Sequence, residues 1–352
     1  MNKKIKKIVF IVCSFLLAFF IIANVGSLIT YSILFKRIKD IDYSITPGLI
    51  NYELVKDVLP RKEYRYTSKG ETLCGYFYKN NDKSPLIVVS SGYNDVSDSL
   101  LFYHKYFYDL GYNVFSYDNC GSGKSTGTQK GFFQSLIDLE STLKFINNTS
   151  DFKNLPLFLF GYSAGGYAAT AIFNINDFNV LACVSIAGYN DASALMIEKG
   201  KQYVGFLSFL GKPAIDAITY YRFKDYLSYT AIGGINKTNI PFYIFHGQED
   251  KVIPINQNSI YCKQTDLINK NVYFESYDTQ GHISILYDSS VLKYQEEVND
   301  TLKSLKSYKE KQDYIGSIDP YYYSKTNLTM TNKVHLLYQS VIKFWQICTL
   351  CI

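Results

Sequence analysis

The chain has 352 residues, 47% hydrophobic and 19% charged, a balance that argues against intrinsic disorder and leaves room for one large domain or two small ones. Its net charge of +5 comes from Lys and Arg scattered among Asp and Glu, with no basic stripe of the kind that tracks a nucleic-acid backbone. The seven cysteines are odd in number and irregularly spaced, and only Cys348 and Cys351 form a CxxC, without a second pair to complete a zinc site; neither a disulfide framework nor a bound metal or other cofactor is expected.

The N-terminus comes first in chain order. Residues 8–35 carry no charge, and roughly 20 such residues in a helix rising about 1.5 Å each cross a ~30 Å hydrocarbon layer. The run is longer than a secretory core and lacks a small-x-small cleavage site, so residues 1–40 read as a retained transmembrane anchor. Lys3, Lys4, Lys6 and Lys7 precede the span, and Lys36, Arg37 and Lys39 follow it; the positive-inside rule favours a cytoplasmic N-terminus and a catalytic domain outside the cell membrane.

Residues 41–60 form a connector, and 61–308 alternate short apolar runs with helical patterns, the mark of an α/β domain. Strands are predicted at 63–67, 72–78, 86–90, 113–117, 157–160, 180–186, 242–245 and 271–275. The first two look like an antiparallel hairpin, and the later, non-alternating runs like parallel strands covered on both faces. Helices are predicted around 96–110, 132–147, 164–174 and 256–266. The stretch 189–236 is too long for a simple connection and reads as an inserted helical lid, its aromatic residues Tyr203, Phe206, Phe209, Tyr220 and Tyr221 suited to an apolar acyl chain or to packing. Residues 309–352 form a tail with a Tyr-rich segment at 319–323 and an amphipathic docking helix from Val334 onward. Tyr is abundant, 33 against one Trp, which fits A/T-rich coding or a surface that touches sugar or lipid.

Phe160-Gly161-Tyr162-Ser163-Ala164-Gly165-Gly166 is a G-x-S-x-G between an apolar strand and a helical run. A strand that feeds a helix through one residue forces a strained turn, which lifts the Ser163 hydroxyl above the sheet at a helix N-terminus. A hydroxyl needs a base and an orienting acid to act as a nucleophile. Of four histidines, His104 lies in a helical run, His246 follows a strand and reads as structural, and His335 is in the tail. His282, in a Gly-containing loop after the last strand, is the candidate base, and Asp250 in Gly-Gln-Glu-Asp-Lys is the candidate acid. The oxyanion of an acyl transfer would be met by the N–H of Ala164 and by that of Tyr93 in Ser-Ser-Gly-Tyr-Asn. The sequence Gly-Ser-Gly-Lys-Ser at 121–125 lacks the upstream Gly and the downstream helix of a phosphate loop, so no nucleotide is expected.

Taken in order, SSGYN, YDNCGSGKSTG, GYSAGG, HGQEDKVIP and GHISI over residues 60–308 resemble the α/β-hydrolase superfamily. The likeness is to its serine hydrolases with a monoacylglycerol-lipase-like or serine-aminopeptidase-like core, and among them to N-terminally anchored bacterial members. The resemblance implies a mostly parallel twisted sheet with helices on both faces and an acyl-enzyme mechanism on Ser163, Asp250 and His282. It implies an esterase or lipase acting on a small-molecule or lipid-like ester; a peptidase or amidase uses the same triad, and a non-catalytic binding protein is the reading from a different class. Two positions depart from the family pattern. Ser91 stands where His is usual, and Asn119-Cys120 precede Gly121 where an Arg is common.

Overall fold

A computed structural model describes residues 2–38, 41–46, 50, 52–175, 178–205, 208–319 and 325–350. Its centre is an eight-stranded sheet built from β1 (Lys62–Ser68), β2 (Glu71–Tyr78), β3 (Leu86–Ser90), β4 (Asn113–Asp118), β5 (Leu157–Tyr162), β6 (Val180–Ile186), β7 (Phe242–Gly247) and β8 (Val272–Tyr277). The spatial order is β1-β2-β4-β3-β5-β6-β7-β8. The β1–β2 and β2–β4 pairs are antiparallel and all other neighbours are parallel. The eight strands appear where the apolar runs place them, several a residue or two longer.

Alternate residues of a strand face opposite sides of a sheet, and here both sides are covered. Val88, Phe115 and Leu159 pack on one face with Leu136 of α3 (Gln134–Asn148), Ala168 of α4 (Ala164–Ala171) and Ile235 of the 231–235 helix. Ile87, Val89, Phe158 and Phe160 pack on the other with Phe107 of α2 (Leu101–Asp109) and Val291 of the helix Ser289–Ser304. Ile50, Val55 and Leu59 of the connector are buried in that second layer.

Many tyrosines belong to the core. Tyr103, Tyr167, Tyr189 and Tyr338 are fully buried, and each hydroxyl donates to a main-chain carbonyl, of Leu286, Tyr229, Phe132 and Leu159 respectively, at 2.7–2.8 Å. A buried Tyr is tolerated on that condition. The C-terminal helix Leu328–Leu350 starts earlier than its apolar stretch suggested, because Asn327 Oδ1 accepts from the Met330 N–H at 3.2 Å. It docks on the sheet through Met330, Val334 and Tyr338, whose ring stacks on Phe158 at 4.4 Å. Tyr321, Tyr322, Tyr323 and Cys351 lie outside the described residues.

The helix expected at 256–266 is instead a loop ending in a 3-10 turn, Tyr261–Asp266. Polar side chains compete for the backbone there: Asn258 Nδ2 donates to the Asp191 carbonyl at 2.7 Å, and Ser259 Oγ accepts from the Cys262 N–H at 3.0 Å.

Between β6 and β7 run α5 (Ala192–Val204), α6 (Ser208–Phe223) and α7 (Ala231–Ile235). The Asp191 side chain caps α5 by accepting from the Ser193 and Ala194 N–H groups at 2.7 and 3.2 Å. The N-terminal helix α1 (Lys3–Leu34) is, among the described residues, the one helix long and apolar enough to cross a membrane, and its apolar window is not buried in the protein. Its last turns lie along α6. The Asn24 amide donates to the Leu210 carbonyl at 2.9 Å and accepts from the Ala214 N–H at 3.0 Å, so it inserts at the i, i+4 pair that flanks Pro213. Gly211 allows the close approach, since a Cβ there would collide with the Ser27 side chain.

Candidate active site

The parallel strands β5, β6 and β7 and the loop after β8 bring the candidate residues to one end of the sheet. Strand β5 passes into α4 through Ser163 alone, held at φ 55° and ψ −117°, a conformation that costs a non-glycine residue of order 1–3 kcal/mol. The flanking glycines make the turn possible: a Cβ at Gly161 would strike the Gly165 carbonyl, and one at Gly165 would strike the Ser90 carbonyl. The Ser163 N–H donates to the Ile186 carbonyl of β6 at 2.8 Å, which pins the elbow from outside.

Ser163 Oγ lies 2.9 Å from His282 Nε2, and His282 Nδ1 lies 2.7 Å from Asp250 Oδ2. With its Nδ1–H donated to a carboxylate, the imidazole turns its Nε2 lone pair to the hydroxyl. Asp250 is buried at the turn after β7, where its Oδ1 accepts from the Val252 and Ile253 N–H groups, both at 2.8 Å. Burial pushes this carboxyl's pKa up. Hydrogen bonds from His246 and His282 outweigh that and hold it well below the ordinary carboxylate range.

His246, read from sequence as structural, does more than fill space. Its Nε2 lies 2.8 Å from the Ile253 carbonyl and 3.3 Å from Asp250 Oδ2, the oxygen that also faces His282, so it is a second ring beside the acid. It sits four residues before Asp250, but nothing in the sequence separates such a ring from an ordinary core histidine. His104 is such a core residue: buried beside Tyr78, its pKa is pulled down to about 3 by desolvation. His335 Nδ1 pairs with the Tyr112 hydroxyl at 3.1 Å, away from this site.

Gly92, Tyr93 and Ala164 border one small recess beside Ser163, and a Cβ built on Gly92 would sit 3.4 Å from that of Ser163. The Tyr93 ring packs edge-on against Phe35 and Phe132, and its hydroxyl donates to the Leu34 carbonyl. The two departures from the family pattern meet here, Asn119 Nδ2 lying 3.4 Å from Ser91 Oγ. The loop that carries Asn119 is organised by Asp118, which accepts from the Ser97 and Lys124 N–H groups at 2.9 Å and from the Tyr76 hydroxyl at 2.7 Å.

Ser163 and His282 open into a cavity of about 530 Å³, within the range of small-molecule sites. Its wall is mostly apolar, with Leu34, Phe35, Phe132, Leu195 and Leu286. Two charged side chains reach it. Burial pushes the Asp95 carboxyl up to about 6, against the opposing effects of a Ser99 hydrogen bond and the nearby His282. Burial also pulls the Lys199 pKa down, and its ammonium donates to the Val252 carbonyl at 2.7 Å and to Gln202 Oε1 at 3.0 Å. Neither residue carries a sequence signal, and the approach of Leu34 and Phe35 depends on how α1 docks.

Among the described residues, the aromatics at 203–221 that sequence offers for an acyl chain or for packing do not line this cavity. Phe209, Tyr220 and Tyr221 of α6 are exposed, Tyr221 at 85%, because this stretch of α6 turns them outward. Phe206 lies outside the described residues, and the Tyr203 side chain is not described. The apolar wall comes instead from α1, α5 and the loops around the sheet.

Comparison with known proteins agrees with this architecture. Residues 81–211 match the family described as serine aminopeptidase, S33. The fold is similar to that of an esterase of Pyrococcus furiosus, PF2001: the structures align with a TM-score of 0.53 and 15% identity over 78% of this chain and 100% of that one. A second crystal form of that esterase gives 0.52 and 16% over 74% and 95%. Among curated proteins no sequence matches significantly.

Proposed function

We propose that this chain, an α/β-hydrolase by its fold, is a serine esterase that cleaves lipid-like carboxylic esters at a membrane surface. One observation carries the reading: the unbroken hydrogen-bonded relay Ser163–His282–Asp250 at the mouth of an apolar cavity. Ser163 Oγ attacks the ester carbonyl while His282 Nε2 takes its proton, and the N–H groups of Tyr93 and Ala164 receive the oxyanion. The carbon–oxygen bond to the alcohol then breaks as His282 returns the proton to the leaving oxygen. Water repeats the attack on the acyl-enzyme with His282 again as base, releasing a carboxylic acid and restoring Ser163. Asp250 keeps its negative charge throughout and stabilises the imidazolium. No step calls for a cofactor.

Asp95 favours a second reading. A carboxyl in the cavity wall suits the amino terminus of a peptide, and the same relay cleaves amides. Parallel assays separate the two. The full chain is expected to take one alkyl fluorophosphonate on Ser163 and to hydrolyse p-nitrophenyl esters at least 100-fold faster than aminoacyl-nitroanilides. The opposite ratio would make it a peptidase, and a protein inert to the phosphonate and to both substrates would not be a serine hydrolase.

The uncharged length of α1 supports a retained membrane anchor, with the four lysines before it on the cytoplasmic side and the catalytic domain outside. Protease added to intact cells should then digest the domain beyond residue 40. Complete protection until the cells are lysed would reverse the orientation.

A further inference from the structure

Resting on the esterase reading, we propose that the substrate's acyl chain enters from the bilayer through a groove along α1, so that the anchor is also the wall of the entry path. A second cavity of about 370 Å³ lies between α1, α5 and α6. It is lined by Ala23, Gly26 and Thr30 of α1 and by Met196, Gly200 and Ile215 opposite. Leu34, Phe132 and Lys199 line both this groove and the Ser163 cavity, so the two spaces meet across those three side chains.

The geometry commits the groove to an occupant that arrives from the membrane. Counted from Ile8, the ~20 residues that cross a hydrocarbon layer end near Ser27. The groove is bordered by α1 residues from Phe19 to Leu34, about 22 Å of helix. One end therefore lies at the depth of lipid tails and the other beside the nucleophile. The wall is mostly apolar, the hydroxyls of Ser27 and Thr30 being turned onto the α1 carbonyls of Ala23 and Gly26, and its one charged side chain, Lys199, stands at the junction; α6 is fastened to α1 by Asn24 and by the Ser27–Gly211 contact. An ester whose chain lay in this groove would bring its carbonyl to Ser163 without exposing the chain's methylenes to water, a transfer that is unfavourable for each of them. A water-soluble short-chain ester needs only the first cavity.

Two glycines provide plugs. A Cβ on Gly26 meets nothing within 4 Å, and one on Gly200 meets only the Ser208 Cβ at 3.9 Å. Gly26→Leu and Gly200→Leu would thus fill the groove, and each replaces a helical glycine by a better helix former. With the full chain in phosphatidylcholine vesicles, each should lower the hydrolysis of dioleoylglycerol in the bilayer at least tenfold, with p-nitrophenyl butyrate falling less than threefold. Dioleoylglycerol turnover that stayed within twofold of wild type in both variants would overturn the proposal. If both substrates fall together, an independent arm on the wild type decides: a hexadecyl fluorophosphonate bearing a terminal diazirine is bound at Ser163 and photolysed. Cross-links to α1 or α6 support the groove, and cross-links confined to other elements defeat it. Failure of the phosphonate to label Ser163 would defeat the esterase reading instead.

Discussion

Ser163→Ala is expected to lower kcat on p-nitrophenyl butyrate by about 10⁶-fold, the scale seen when a serine nucleophile is removed from a working relay. The change deletes one oxygen and little else. Alanine keeps the Cβ that packs near Gly92 and accepts the φ of 55° no worse than serine does. The His282 side chain, 10% exposed, can bond water in place of the lost hydroxyl. Stability should accordingly change by no more than about 1 kcal/mol, and KM should stay within a few-fold because the cavity wall is untouched. The residual rate, about 10³–10⁴ over water, would come from the oxyanion donors and binding alone. A variant that kept a tenth of the wild-type rate would remove Ser163 from the chemistry.

Much of this arrangement was legible in the sequence because its determinants are local. Gly161, Ser163 and Gly165 encode a turn that few other residues allow, and the apolar runs at 86–90 and 157–160, short and without alternation, fit strands covered on both sides. His282 could be singled out because the other histidines lie in a helix, at the end of a strand and in the tail. What stayed hidden depends on distant contacts. Asp95 and Lys199 enter the cavity wall only once β3, α5 and the 250–253 turn come together, and each looks like an ordinary surface charge in isolation. The docking of α1 on α6 rests on one Asn, one Ser and one Gly, which no periodicity announces. The aromatics Phe209, Tyr220 and Tyr221 of α6 suit an acyl chain or packing equally well on sequence, because hydrophobicity alone does not say which way a helix turns its rings. The 256–266 stretch failed as a helix for a related reason: Asn258 spends its amide on Asp191, a partner 67 residues away.

Asp250→Asn is expected to reduce kcat about 10⁴-fold while leaving the side chain in place. The hydrogen bonds fix how an amide must sit. The Val252 and Ile253 N–H groups both donate to Oδ1, so the amide oxygen takes that position and the NH₂ group falls where Oδ2 was, facing His282 Nδ1. The NH₂ can only donate. It therefore selects the tautomer with the proton on Nε2, which presents an N–H instead of a lone pair to Ser163 Oγ and removes the base. His246 Nε2 stands 3.3 Å from the same position with its N–H on the Ile253 carbonyl, so this second ring offers the NH₂ group no acceptor either. The stability profile supplies a second readout. Asp250 has a folded pKa below its unfolded value of about 4, so its contribution is fully present above that value and is lost as pH falls beneath it. Wild type should lose more of its urea midpoint between pH 5 and pH 3 than Asp250→Asn does. If the variant instead retained near-normal turnover, or if the two acid limbs were superimposable, Asp250 would not be the carboxylate that holds this histidine.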